Sequence, residues 1–302
     1  MAVELERTEQ VRSKIHIKNP LLRNALSEFF GTFMLLFIGI GIVMQFILSN
    51  EKLNTWININ LGWGLAIAFC VYLCSKTSGG HFNPAVSIAF LTLGKLPLKD
   101  FLVYCVVQTI GAALGSLAAF GLYYGICDHY CSNNKFILDQ VNKFAGAYRT
   151  IIGSKATAAC FCSFPAFHVS NTTCFFDQFA GTAILVLFVC VIIDKRNGIP
   201  AAAHPLLFGL VVMMIGTAYG MNLGYPINPA RDLGPRIVTF FIYGSGVFSY
   251  HSYYFWIPVI APLFGAVAGA WSYTFFVGAH IPEQRETTYV LVDEANQPLK
   301  LA

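Results

Sequence analysis

Long apolar runs alternate with short polar breaks along this chain, and the runs come in two lengths. Leu21–Leu48, about Ile57–Ser75, about Phe101–Tyr124, about Cys174–Ile193, His204 to about Gly220, and about Tyr253–Phe276 are each predicted to cross a bilayer core about 30 Å thick. The run from Asn83 to about Leu93 gives only about 15 Å of helix, half that depth. It is predicted to enter the membrane and turn back. A second half-helix is predicted to begin at Asn228. There, as at Asn83, a strong N-cap residue precedes proline, the favoured first residue of a helix. Asn83-Pro84-Ala85 and Asn228-Pro229-Ala230 are thus two copies of one helix start, 145 residues apart.

The copies belong to a longer duplication. Ser27-Glu28-Phe29-Phe30-Gly31-Thr32 is echoed by Asp177-Gln178-Phe179-Ala180-Gly181-Thr182, Trp63-Gly64-Leu65 by Phe208-Gly209-Leu210, and Gly111 and Gly115 by Gly265 and Gly269. Each half holds three spans and one half-helix, and an odd number of crossings forces the second half to insert upside down. The predicted fold is an all-α membrane protein of six transmembrane helices plus two re-entrant half-helices in an inverted repeat. A polar tail over 1–20 precedes a membrane domain over 21–276, and a second tail covers 277–302. Within the domain, repeat one spans about 21–125, an outer loop about 126–173, and repeat two about 174–276. Twelve of the 19 lysines and arginines fall in the N-terminal segment, the first re-entrant loop, the turn after Asp194 and the C-terminal tail. By the positive-inside rule both termini are expected to be cytoplasmic.

Composition supports this reading and removes others. The chain of 302 residues is 56% hydrophobic and only 11% charged, too apolar for a soluble globule. Its net charge of +4 is spread over many loops, which suits anchoring at a lipid bilayer, and no basic block with interleaved aromatics points to nucleic acid. Nine cysteines show no metal-ligand spacing. Five of them lie between Cys127 and Cys174, where a disulfide is admissible but an odd count leaves a thiol over. No cofactor or metal is expected, and no set of nucleophile, base and orienting group can be assembled for an enzyme. The sequon Asn171-Thr172-Thr173 stands almost against the fourth span, which argues against glycosylation.

With one re-entrant loop entering from each side, the two half-helices meet N-terminus to N-terminus near the midplane, Asn83 beside Asn228. Each brings the positive end of its dipole, worth about half a charge, to the same point. The two asparagine amides are expected to remain free to donate to a passing oxygen. Such a site admits neutral molecules and repels cations. Glu28 and Gln178, too deep to be surface residues, are expected to brace the unwound loops through hydrogen bonds, unequally because one is neutral. His81 is a further candidate, as a pH sensor near the cytoplasmic mouth.

These residues carry a family resemblance over nearly the whole chain, which resembles the major intrinsic protein family, the aquaporins. Asn228-Pro229-Ala230-Arg231-Asp232-Leu233-Gly234-Pro235-Arg236 is similar to the aquaglyceroporin signature, with Asp232 after Arg231 and Arg236 four residues on, a spacing for a helical ion pair. Pro258 fits as well, and Val259 departs conservatively. The resemblance implies an outer constriction of Trp63, Gly216, Tyr225 and Arg231. Water-selective relatives typically carry histidine where Gly216 stands, so its missing side chain leaves space for the Tyr225 ring. Trp63 and Tyr225 would offer an apolar corner to the carbon backbone of a polyol, with Arg231 donating to its hydroxyls from the opposite side. Pore-lining carbonyls from Gly79, Gly80 and His81 and from Gly224, Tyr225 and Pro226 are implied too. So are a homotetramer, a plasma-membrane location, and passage of glycerol, water and small neutral solutes such as urea without protons or ions. The alternatives are a water-selective channel and an inverted-repeat secondary transporter. The transporter would need ionisable groups at the midplane, where only Glu28, Arg231 and Asp232 are evident. A junctional or adhesive protein is suggested by nothing but the long outer loop.

Overall fold

A computed structural model of the chain describes residues 6–124, 149–153 and 155–282. Ten α-helices follow one another among them: α1 (Arg7–Ile15), α2 (Pro20–Leu48), α3 (Trp56–Cys74), α4 (Pro84–Thr92), α5 (Leu98–Leu122), α6 (Asn171–Ile193), α7 (His204–Tyr219), α8 (Pro229–Tyr243), α9 (Gly246–Tyr253) and α10 (Ile257–Phe276). Among the described residues, six helical segments are long and apolar enough to cross a membrane. The two half-helices are α4 and α8.

Glycines set how closely the spans approach. In repeat one, Gly111 and Gly115 of α5 lie on the backbone carbonyls of Phe29 and Phe33 in α2. Repeat two does the same, with Gly265 and Gly269 of α10 on the carbonyls of Phe179 and Ala183 in α6. A Cβ at any of these four glycines would overlap the facing backbone, so the crossing requires residues without one. Gly64 of α3 and Gly209 of α7 face each other across the two halves in the same way. Each half-helix is shared between repeats: α4 packs on α10, and α8 packs on α5. Leu102, Phe241 and Phe264 point outward and are exposed, as lipid-facing positions are.

Three details differ from the sequence reading. The tail before Pro20 contains a helix, α1, but none of its residues is buried. The last span starts at Ile257 instead of Tyr253, because the backbone leaves helical geometry at Tyr250, His251 and Ser252 and resumes where Pro258 occupies the first turn. The third span begins three residues earlier than expected, at Leu98, behind Pro97. Of the expected outer loop, residues 126–148 and 154, with Cys127 and Cys131, lie outside the described residues, as do residue 125 before it and the C-terminal tail from 283 onward. Among the described residues, Cys160, Cys162 and Cys174 are free thiols. Asn171 is the first residue of α6, behind the Ser170 cap, and its Nδ2 donates to the His251 carbonyl at 3.2 Å.

Candidate functional site

The two unwound segments before α4 and α8 share one backbone pattern. Left-handed φ occurs at Gly79, Gly80 and Phe82 (93°, 69° and 50°) and, 145 residues on, at Gly224, Tyr225 and Ile227 (76°, 45° and 37°). Positive φ in side-chain-bearing residues is strained, at about 1–3 kcal/mol each. Something must hold these segments, and in repeat one it is Glu28. Its Oε1 accepts from Ser78 Oγ at 2.6 Å and the His81 backbone N–H at 2.9 Å, and its Oε2 from the Phe82 N–H at 2.7 Å and Gln108 Nε2 at 2.8 Å. The carboxylate is fully buried, and its hydrogen bonds replace the water it has lost.

Repeat two needs less. The residue matching His81 is Pro226, which has no N–H, so only the Ile227 N–H remains, and Gln178 Oε1 accepts it at 2.9 Å. One acceptor oxygen suffices where two were needed. The Gln178 amide turns to Asp177 Oδ1 at 3.0 Å, and Asp177 Oδ2 accepts from Asn222 at 2.9 Å.

The two asparagines lie together at the junction of α4 and α8. Asn83 Oδ1 caps α4 through the Ala85 N–H at 2.8 Å, and Asn228 Oδ1 caps α8 through the N–H groups of Ala230 and Arg231 at 3.0 and 3.2 Å. Against the expectation from the sequence that they remain free, both amide nitrogens are partly engaged. Asn83 Nδ2 donates to the Ile227 carbonyl at 3.0 Å, and Asn228 Nδ2 donates to the Phe82 carbonyl at 2.8 Å. Each amide therefore keeps one of its two hydrogens for a passing acceptor. Pro84, Ala85, Pro229 and Ala230 are all buried behind them.

Three cavities, each sharing wall residues with the next, form a series here, and the first two meet at the asparagines. A wide one of about 320 Å³ is bordered by Gly79, Gly80, His81, Asn83 and Asn228. A narrow one of about 50 Å³ reaches from the two asparagines to Trp63, Tyr225 and Arg231. A third of about 350 Å³ opens beyond them, with Gly224 and Pro226 also in its wall. His81 sits in the first, its Nδ1 3.1 Å from Ser87 Oγ and its ring against Phe90 and Tyr104.

At the narrow end, Trp63, Tyr225 and Arg231 converge, with Gly216 behind the tyrosine. A Cβ on Gly216 would fall 2.6 Å from Tyr225 Cε1 and 2.6 Å from Asn60 Oδ1, so the tyrosine ring uses the volume a side chain would take. The Tyr225 hydroxyl donates to Asn60 Oδ1 at 2.7 Å, and Trp56 meets the ring edge-on. Arg231 stands directly against Trp63, its guanidinium carbon 4.9 Å from the ring centroid, and not across from it as expected. The cause is an anchor: Arg231 Nη1 donates to the Phe161 carbonyl at 2.8 Å.

Asp232 and Arg236 form the expected pair, buried, at 2.7 Å. Arg236 also donates to the carbonyls of Ser163 at 2.6 Å and Val247 at 2.8 Å, and the Ser163 N–H and hydroxyl both donate to Asp232 Oδ2. The pair thereby clamps the segment carrying Phe161 and Ser163 onto α8, and that segment in turn holds Arg231. Sequence reasoning missed Asn60, Ser78, Gln108 and Ser163. Asn60 and Gln108 were findable as side-chain amides inside apolar spans. Ser163 was not, since only tertiary contact distinguishes it from any loop serine.

An inverted pair of three-span repeats, with two capped half-helices meeting at the waist of a through-going series of cavities, defines a pore-forming integral membrane protein. The family model for the major intrinsic protein family matches residues 16–273, and the chain belongs to that family. It is similar to human aquaporin-9, with 37% identity over 92% of this chain and 90% of the relative. Aquaporin-10 of the tardigrade Milnesium tardigradum is 40% identical over 88% of this chain, which spans 65% of that relative's length. Among solved structures, the aquaglyceroporin from Plasmodium falciparum superposes with a TM-score of 0.73 at 31% identity, covering 86% of this chain and 98% of that one.

Proposed function

We propose that this protein is a passive membrane channel for glycerol and water. The observation that carries the reading is the Tyr225 ring seated over Gly216. The seat turns one wall of the narrow passage into an aromatic surface next to Trp63, while Arg231 supplies fixed donors beside it. A polyol has a carbon edge and a hydroxyl edge, and this wall has a counterpart for each. Family membership and the likeness to proteins named as aquaglyceroporins support the same conclusion. Trp63, Gly216, Tyr225 and Arg231 act as the selectivity filter in this account. Gly79, Gly80, His81, Gly224, Tyr225 and Pro226 border the path with their backbone, and Asn83 and Asn228 form the cation barrier.

The converging half-helix ends oppose protons and metal ions, so only neutral solutes pass. Urea, small and neutral, fits that rule. By the positive-inside bias the termini are cytoplasmic, and by family resemblance the channel resides in the plasma membrane as a homotetramer. Light scattering of proteoliposomes under water, glycerol and urea gradients tests the reading. Solute-driven reswelling that rises linearly with the gradient supports it. Water flux with no glycerol uptake would leave a water-selective channel, and saturable sodium- or proton-coupled uptake would leave a transporter.

A further inference from the structure

Tyr225 is an unusual choice for its place. The matching residue in repeat one is Gly80, and both adopt left-handed backbone, at 69° for the glycine and 45° for the tyrosine. A side chain at such a position is strained, so what the side chain does there must matter. Its ring fills the space over Gly216 and Gly220 and meets Trp56. Its hydroxyl is buried and reaches Asn60 Oδ1 of α3 at 2.7 Å. Asn60 is completely buried, one turn before Trp63, and is absent from the walls of all three cavities along the path. Its other polar side-chain atom, Nδ2, has no partner among the described residues. A buried amide half unsatisfied inside an apolar span is costly, and ordinary packing does not explain it.

We infer that Asn60 is a positioning residue for solute selection: by accepting the Tyr225 hydroxyl it holds the polar end of the phenol away from the lumen, so that only the apolar ring faces a passing polyol. This rests on Tyr225 being a filter wall. Without the acceptor, the phenol hydroxyl must find another partner, and the nearest source is the water and solute in the path. A hydroxyl turned inward narrows the passage and replaces the apolar surface that faces the carbon edge of glycerol. Water, smaller and without a carbon edge, is affected less.

The test compares Asn60→Leu and the smaller Asn60→Ala, each alone and combined with Tyr225→Phe, in proteoliposomes of the full chain, reading the ratio of glycerol to water permeability per channel. With Tyr225 present, either substitution lowers the ratio by about fivefold, the factor that one ordinary hydrogen bond represents. With Tyr225→Phe, which has no hydroxyl to misplace, the same substitutions leave the ratio unchanged. A merely structural Asn60 would alter the ratio equally in both backgrounds, or in neither, and either result overturns the inference. Retained water permeability reports a folded pore. If the unsubstituted protein conducts no glycerol, the filter reading itself fails, which is distinguishable from a conducting channel indifferent to Asn60.

Discussion

Asn83 and Asn228 each cap their own half-helix and hold the other's approach segment: Asn83 Nδ2 donates to the Ile227 carbonyl at 3.0 Å and Asn228 Nδ2 to the Phe82 carbonyl at 2.8 Å. The two repeats are thus tied at the point where their dipoles meet. Replacing either asparagine by alanine removes a cap worth about 1 kcal/mol and one of these ties. Thermal unfolding in detergent should show Asn83→Ala and Asn228→Ala both destabilised. Their combination should cost less than the sum, because both substitutions loosen one shared junction.

Glu28 and Gln178 should not be interchangeable. Four donors converge on Glu28, and a glutamine there would offer one oxygen and turn an NH₂ toward a donor. Glu28→Gln is expected to cost about 2–3 kcal/mol. Gln178→Glu gains no new backbone donor, since Pro226 has no N–H, and it sets a second carboxylate against Asp177. It should destabilise as well. Equal stability of wild type and Gln178→Glu by thermal melts would show that the asymmetry has no energetic basis.

The buried Asp232–Arg236 pair fixes Arg231 at one remove, through the segment Phe161–Ser163. Asp232→Ala leaves Arg236 buried without its carboxylate and should cost about 3–5 kcal/mol. Where enough protein folds to be reconstituted, discrimination between glycerol and water should weaken too. An Asp232→Ala channel with wild-type melting temperature and selectivity would remove the clamp from the account.

Outside the spans, Asp194 ends α6 and meets Arg196 at 2.6 Å, and the Tyr273 hydroxyl donates to it at 2.8 Å. The Arg196 hydrogen bonds hold its carboxyl well below the usual carboxylate range. A depressed folded pKa means that the contribution is complete above the unfolded value, about 3.9, and fades only as pH falls through the folded one. The melting-temperature difference between wild type and Asp194→Asn should therefore be small, given Arg196's exposure, and constant from neutral down to about pH 5. A difference that vanishes within that window would contradict the assignment.

His81 packs its ring on Phe90 and Tyr104, and it is the backbone N–H, not the imidazole, that meets Glu28. Glycerol flux of His81→Ala is expected to track wild type from mildly acidic to neutral pH. Divergence on acidification would make His81 a sensor.

Much of this was legible in the chain because it is written locally or in repeats. Apolar run length gave the six spans within a few residues, and Asn-Pro gave both half-helix starts. Pro226, set against His81, already hints why Gln178 replaces a glutamate. What stayed hidden depends on contacts between distant residues of unremarkable type. Asn60 and Tyr225 are 165 positions apart, and Ser163 lies 69 from Asp232. Neither pair obeys a period. The seating of Arg231 against Trp63 is unreadable in the chain for the same reason, because its anchor is a loop carbonyl.

The central claim is that the tyrosine over Gly216 decides which solutes pass. Its most direct test is the relative permeability of proteoliposomes carrying Gly216→His with Tyr225→Cys. The account predicts that glycerol permeation falls at least about tenfold more than water permeation, since the imidazole closes the aromatic corner but leaves a path for a single small molecule. Equal loss of both, or glycerol flux untouched, would place the constriction elsewhere.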